Sequence, residues 1–215
     1  TLTAPPSFAA KWLVPRLGRF ETLHPEVDVW LSAGIELVDF ANGEVDVAIR
    51  YGSGRWSGVQ ADLLHNEEFF PVCSPSLAAE IGTAGTDAER LAKFTRIRTY
   101  FYSLYQDDWP AWLEAAGYSH VRFAGEAVFQ LQLTSQSAAI EGMGLAIGRT
   151  PLVTREIERG TLVAPFGKRV TSRSSYFVAS PVAKAKSHRV ELFRRWALDN
   201  LSLPDEPHVA DSATA

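Results

Sequence analysis

The chain has 215 residues, 46% of them hydrophobic and 21% charged, an ordinary globular composition long enough to bury a real core. Lys and Arg number 21 against 25 Asp and Glu, a formal charge of −4; an acidic chain with no basic stripe is a poor partner for nucleic-acid phosphates. Its one cysteine, Cys73, excludes a disulfide framework or thiolate metal site, and no apolar run approaches the ~20 residues of a membrane span.

In chain order, Leu2 to Ala4 reads as the end of a buried strand, and Pro5-Pro6-Ser7 as a turn with Ser7 capping the next helix. Phe8, Trp12, Leu13, Leu17, Phe20 and Leu23 recur at steps of three and four, which predicts a helix stopped by His24-Pro25. Val27, Val29 and Leu31 alternate as a strand ending at Ser32-Ala33-Gly34. A short helix over Leu37 to Asn42 is closed by Gly43, and Val45, Val47 and Ile49 form another strand. This strand–helix–strand order implies a parallel sheet with right-handed crossovers. A Gly/Ser/Trp loop follows over Tyr51 to Gly58.

Glu67 to Cys73 reads as a strand and Ser74-Pro75 opens a new segment. A second α/β unit is expected from a helix at Asp87 to Phe94, a strand at Arg96 to Tyr100 and a helix capped by Asp107 or Asp108. A strand follows Gly125, then a helix over about Leu131 to Glu141, a brief strand Leu145 to Ile147 and a helix Pro151 to Glu158. Strands at Thr161 to Val163 and Ser175 to Ala179 precede a last helix, Ala183 to Asn200. From Ser202 the tail has almost nothing to bury and is expected to be disordered. Two links, near Phe69–Pro75 and Ser175–Pro181, look like strands crossing between halves.

The sequence carries no G-x-S-x-G, H-E-x-x-H, P-loop or G-x-G-x-x-G. His24, His65, His120, His188 and His208 include no pair at metal-ligand spacing. The acid pairs Glu67-Glu68 and Asp107-Asp108 are neighbours that point apart in a strand or favour a helix start. Cys73 is read first as a small buried hydrophobe; a thiolate at a crossover could instead be a nucleophile or attachment point.

The stretch Ser7-Phe8-Ala9-Ala10-Lys11-Trp12-Leu13-Val14-Pro15-Arg16-Leu17, with Phe20 and His24-Pro25, resembles the first helix of LysR-type effector-binding domains. Val38-Asp39-Phe40 and Gly43 to Gly52 are similar to the subgroup that regulates glycine cleavage and inducible β-lactamase. Pro71 to Pro75, Ala138 to Gly144, Gly148-Arg149, Leu152-Val153 and Gly160 to Phe166 continue the likeness, over about residues 1 to 200. The resemblance implies an α/β fold of two Rossmann-like lobes joined by two crossover strands, like type II periplasmic-binding proteins. Lobe I would be 1–73 plus 179–201 and lobe II 74–178, with 202–215 as tail. A small-molecule effector would sit in the cleft. The family's winged helix-turn-helix and linker helix would precede this piece and bind DNA, which suits both the acidic charge and the start at Thr1. The resemblance further implies a cytoplasmic regulator with no catalysis, no cofactor and no membrane contact. It implies a homodimer joining the first helix to the second-lobe helix, with spare apolar surface sought around Trp12 and Phe20.

Helix N-termini offer free N–H groups and positive potential, so an anionic effector suits two such ends, at Ser7-Phe8 and at Gln130 to Leu133. Ser7 keeps the family's small hydroxylated residue; Gln130 and Gln132 depart from it, which suggests contact through amides. Ala33, Gly34, Tyr102, Arg149, Thr150 and Tyr176 match pocket-lining positions, and Asp39 matches one linked to activation control. Each also has a plain structural role open to it: Ser7 and Asp39 as helix caps, Arg149 as a surface charge, Tyr102 and Tyr176 as core aromatics. The same bilobal features suit a periplasmic solute-binding protein of a transporter. They also suit an enzyme with a covalent group on Cys73, as in porphobilinogen deaminase.

Overall fold

The computed structural model describes residues 1–35, 40, 43–100 and 108–201. The helix expected over Leu37 to Asn42, and with it Asp39, lies outside the described residues apart from Phe40; so do Tyr102, Asp107 and the tail. One eight-stranded sheet runs through the molecule in the order β2-β1-β3-β8-β4-β7-β5-β6. The first lobe holds β1 (Leu2–Ala4), β2 (Leu31–Ala33) and β3 (Val47–Gly52), with β1 parallel to both neighbours. The second holds β5 (Thr95–Thr99), β6 (Gly125–Phe129) and β7 (Leu145–Arg149), with β5 the parallel centre.

Two long antiparallel strands join the lobes: β4 (Val59–Val72) and β8 (Val170–Pro181). β8 pairs with β3 on one side and β4 on the other, and β4 passes on to β7 at Phe69, which faces both Val170 and Arg149. Both strands are longer than their sequence suggests. Two register shifts, between Leu63/His65 and Asn66/Glu68, break the alternation that would have exposed β4 to a period-two search.

The first helix runs unbroken through α1 (Pro6–Phe8), a π-helical turn (Ala9–Leu13) and α2 (Val14–Leu23). In the wide turn the Val14 N–H reaches back to Ala9 O; it falls where the Pro15 ring would otherwise meet the Lys11 carbonyl. The helix starts two residues earlier than expected, with Pro5 as N-cap, so Ser7 does not cap it. Phe8, Trp12, Phe20, Phe193 and Trp196 are buried together in the first-lobe core, with α8 (His188–Leu201) supplying the last two. Trp12 and Phe20 are therefore consumed by that core and leave no apolar surface; Val14 and Leu23 are the exposed large apolar residues of this helix.

The second lobe adds α3 (Pro75–Ile81), capped by Ser74 on the Leu77 N–H, and α4 (Asp87–Ala92), closed by a Thr86/Glu89 capping box. Then come α5 (Asp108–Ala116), α6 (Gln132–Ile140) and α7 (Thr154–Glu158). Trp109 and Trp112 pack on one side of its sheet with Leu91 and Phe166, and Ala138, Ala139 and Val153 on the other. Several boundaries move. Val27, Val29 and Val45 lie outside strands, the strand at Thr161 to Val163 shrinks to a bridge from Val163 to Cys73, and α7 and α8 start later than expected.

Candidate functional site

The C-terminal ends of the parallel strands of both lobes point at the junction, where ligands bind in open α/β sheets. Ser7, in the first turn of the first-lobe helix, directs its hydroxyl at the second lobe and accepts a hydrogen bond from the Leu133 N–H at 3.1 Å. Leu133 is the second residue of α6, whose own N-cap, Leu131, has no side-chain oxygen to offer. Ser7 thus caps a helix of the other lobe, satisfying one of its orphan N–H groups. One turn on, Lys11 pairs with Glu156 of α7 at 2.7 Å, both largely buried. The first helix is thereby tied to lobe II at two successive turns.

Gln132 stands beside this contact, but its amide turns into lobe II. Its Oε1 accepts from Thr99 Oγ1 at 2.9 Å and its Nε2 donates to the Ile147 carbonyl. Its amide is therefore already engaged within lobe II. Gln136, one turn further along α6, is fully buried, with neither amide atom hydrogen-bonded among the described residues. Gln130 is exposed just before the helix. Phe8 is fully buried, with its ring 4.7 Å from Tyr176, which in turn lies 5.0 Å from Tyr51. Tyr176 is 5% exposed and belongs to the first-lobe core. Ala33 is exposed at the end of β2, and Gly34, half-buried, donates to the Ala4 carbonyl. Thr150 Oγ1 accepts from the Glu68 N–H at 3.0 Å.

Arg149 is not a solvated charge. Its Nε donates to Asp108 Oδ2 at 2.9 Å, its Nη2 reaches the same oxygen, and its Nη1 donates to Glu67 Oε2 and to Tyr51 Oη. Tyr51 also donates to Glu67 Oε2 and shares a hydrogen bond with Ser172. The cluster draws on both lobes and both crossing strands, and Glu67 sits at the second register shift, where a bulge re-aims a side chain. Glu67 is fully buried, with Oε1 unpartnered among the described residues. Burial pushes its carboxyl up to about 7 against the pull of Arg149. Burial opposes the charge of Arg149 too, but Glu67 and Asp108 hold its pKa well above the ordinary value. Burial likewise pushes the Tyr51 hydroxyl up to about 12.

Sequence reasoning missed Glu67, Asp108 and Tyr51 as partners of Arg149, whereas the Leu133 N–H belongs to the helix end it had singled out. The Glu67-Glu68 pair held the signal: neighbours on a strand face opposite ways, so one of two adjacent acids in a central strand has to point inward. Cys73 is fully buried and burial pushes its thiol up to about 12, which keeps it protonated and suits its place in the second-lobe core.

Among the described residues, no helix is long and apolar enough to cross a membrane. The family described as LysR substrate binding domain matches residues 1–202. The glycine cleavage system transcriptional activator of Escherichia coli strain K12 is 32% identical over 206 residues, covering 96% of this chain and 66% of the relative. The transcriptional activator AmpR of Pseudomonas aeruginosa is 31% identical over 200 residues, 93% of this chain and 64% of the relative. The chain therefore spans a little under two thirds of these relatives' length. The effector domain of Pseudomonas aeruginosa AmpR superposes with a TM-score of 0.74 at 30% identity, covering 93% of this chain and 94% of that one. The Citrobacter freundii AmpR effector-binding domain does so at 0.73 and 28%, covering 93% and 96%. These relatives are regulators and give the transporter alternative no support. With two α/β lobes on two crossing strands, the chain belongs to the LysR substrate-binding domain family and is a LysR-type effector-binding domain.

Proposed function

We propose that this domain senses a small anionic molecule held between the lobes, and that the longer protein converts occupancy into altered transcription through a DNA-binding part. The observation that carries this is the Ser7–Leu133 hydrogen bond, which places two helix N-termini together at the junction. A guest carboxylate or phosphate would take the Leu133 N–H in place of Ser7. The site would be formed by Ser7, Phe8, Ala33, Gly34, Gln130, Gln132, Arg149, Thr150 and Tyr176, with Asp39 and Tyr102 added from outside the described residues. Lobe I would comprise 1–73 and 179–201, lobe II 74–178. The protein would be a non-catalytic cytoplasmic homodimer, pairing the first helix with α6 of a second copy.

Sensing requires the guest to favour one lobe arrangement over another, since equal affinity for both shifts nothing. In the full-length protein, Ser7→Leu should fill the meeting point, leave operator binding intact in a gel-shift assay and abolish the response to added metabolite. An unchanged response in Ser7→Leu would place the effector elsewhere.

A further inference from the structure

Arg50 lies near the C-terminal end of β3 and bonds across to β1. From β1 the chain crosses outward to β2, then returns past β1 to β3, so the connections diverge between β1 and β3. Such a switch point is where open α/β sheets hold ligands. The guanidinium donates from Nη1 to the adjacent Ile49 carbonyl at 2.8 Å and from Nη2 to Thr3 Oγ1 at 3.2 Å, while Nε is buried with no hydrogen-bond partner among the described residues. Burial alone pushes its pKa down to about 10, with no carboxylate of the described residues near enough to raise it.

Other arginines of the fold show what this edge is for. Arg149 and Arg194 each apply Nε and Nη2 together to one carboxylate, Asp108 and Asp62. Arg90 and Arg96 also have a buried Nε with no hydrogen-bond partner among the described residues, but each is paired with a carboxylate, Asp87 or Glu126. Arg50 has the same idle donor and no such partner among the described residues. Its position also answers that of Arg149: each lies in the C-terminal half of the third parallel strand of its lobe, Arg50 two residues before the end of β3 and Arg149 at the end of β7, beside the central one, β1 and β5. Arg149 has two carboxylates from the protein; Arg50 has a threonine.

We propose that Arg50 is an anion-binding residue whose Nε–Nη2 edge receives a carboxylate or phosphate group of the effector, with the Thr3 hydroxyl beside it. An oxyanion matches the fork geometry and supplies the counter-charge that the desolvated guanidinium lacks among the described residues. Thr3 accepts from Arg50 and keeps its own hydrogen to donate to a second anion oxygen. This rests on the sensor function proposed above and adds to it the charge and anchor of the guest.

The test is thermal unfolding in sodium phosphate and in sodium succinate, each against sodium chloride of equal ionic strength, for the wild-type protein, Arg50→Gln and Arg50→Lys. At least one oxyanion should stabilise the wild type saturably beyond chloride, and Arg50→Gln should weaken its apparent Kd by about tenfold to a hundredfold. Which salt acts distinguishes a phosphate from a carboxylate guest. Arg50→Lys keeps the charge but loses the fork, so it should still weaken binding; it carries the test if Arg50→Gln does not fold. Equal titration of wild type and variants overturns the role of Arg50 while leaving a binding site, and so the sensor function, in place. Neither salt exceeding chloride on the wild type overturns the anion site.

Discussion

Ser7 serves a helix to which it does not belong. Removing an N-cap oxygen costs ~0.5–2 kcal/mol, so Ser7→Ala should lower stability in urea by about that amount although the residue lies inside its own helix; a change near zero would show that the Leu133 contact contributes nothing. Serine as a cap was legible in the sequence, but its recipient, 126 positions away, was not. At Glu67 the consequence is pH dependence. A carboxyl raised from 4.5 to about 7 is protonated more readily in the folded state. Its contribution to stability is fully present below pH 4.5 and lost as the pH rises through about 7, with a fall of ~1.4 kcal/mol for each pH unit in between. Glu67→Gln should therefore flatten the fall in stability across that window; an unaltered slope would assign it to other groups. Arg149 drew notice in the sequence, but the acids that hold it could not be seen, because no local spacing brings Glu67, Asp108 and Tyr51 together.

The first helix is the element that joins the lobes, and its sequence announced it well: the apolar steps from Phe8 to Phe20 predicted most of its buried face and His24-Pro25 its end, though not its start at Pro6 or the exposure of Leu23. What the periodicity could not give was the link from Lys11 to Glu156. A double-mutant cycle on Lys11→Met and Glu156→Gln should return a coupling of about 0.5–1 kcal/mol; additive effects would mean that the pair does not act as a tie. The crossing strands were the least legible elements. β4 carries Asp62, His65, Asn66 and Glu67, and its bulges send successive residues to unexpected faces. Between β7 and β5 the backbones come close, where a Cβ on Gly144 would lie 2.3 Å from the Thr95 carbonyl oxygen. Gly144→Ala should force that approach apart and lower stability by ~1–3 kcal/mol, the usual cost of overpacking, as read from the denaturation midpoint.

At the scale of the whole molecule, the sheet order is nearly palindromic about β8 and β4, with β2-β1-β3 on one side and β7-β5-β6 on the other. That arrangement turns the C-terminal ends of six parallel strands toward one junction. The class of fold followed from the alternation of strands and helices, and the family from ordered motifs along the chain. The closure of the junction by Ser7, Lys11 and the Arg149 cluster depends on contacts between segments distant in sequence. The most direct measurement is thermal unfolding across a panel of small metabolites, run in parallel on the wild type and on Ser7→Leu. Binding between the lobes predicts a compound that stabilises the wild type, by ~2.7 kcal/mol at a hundredfold excess over its Kd, and leaves Ser7→Leu unmoved. A compound that stabilises both proteins equally would contradict it.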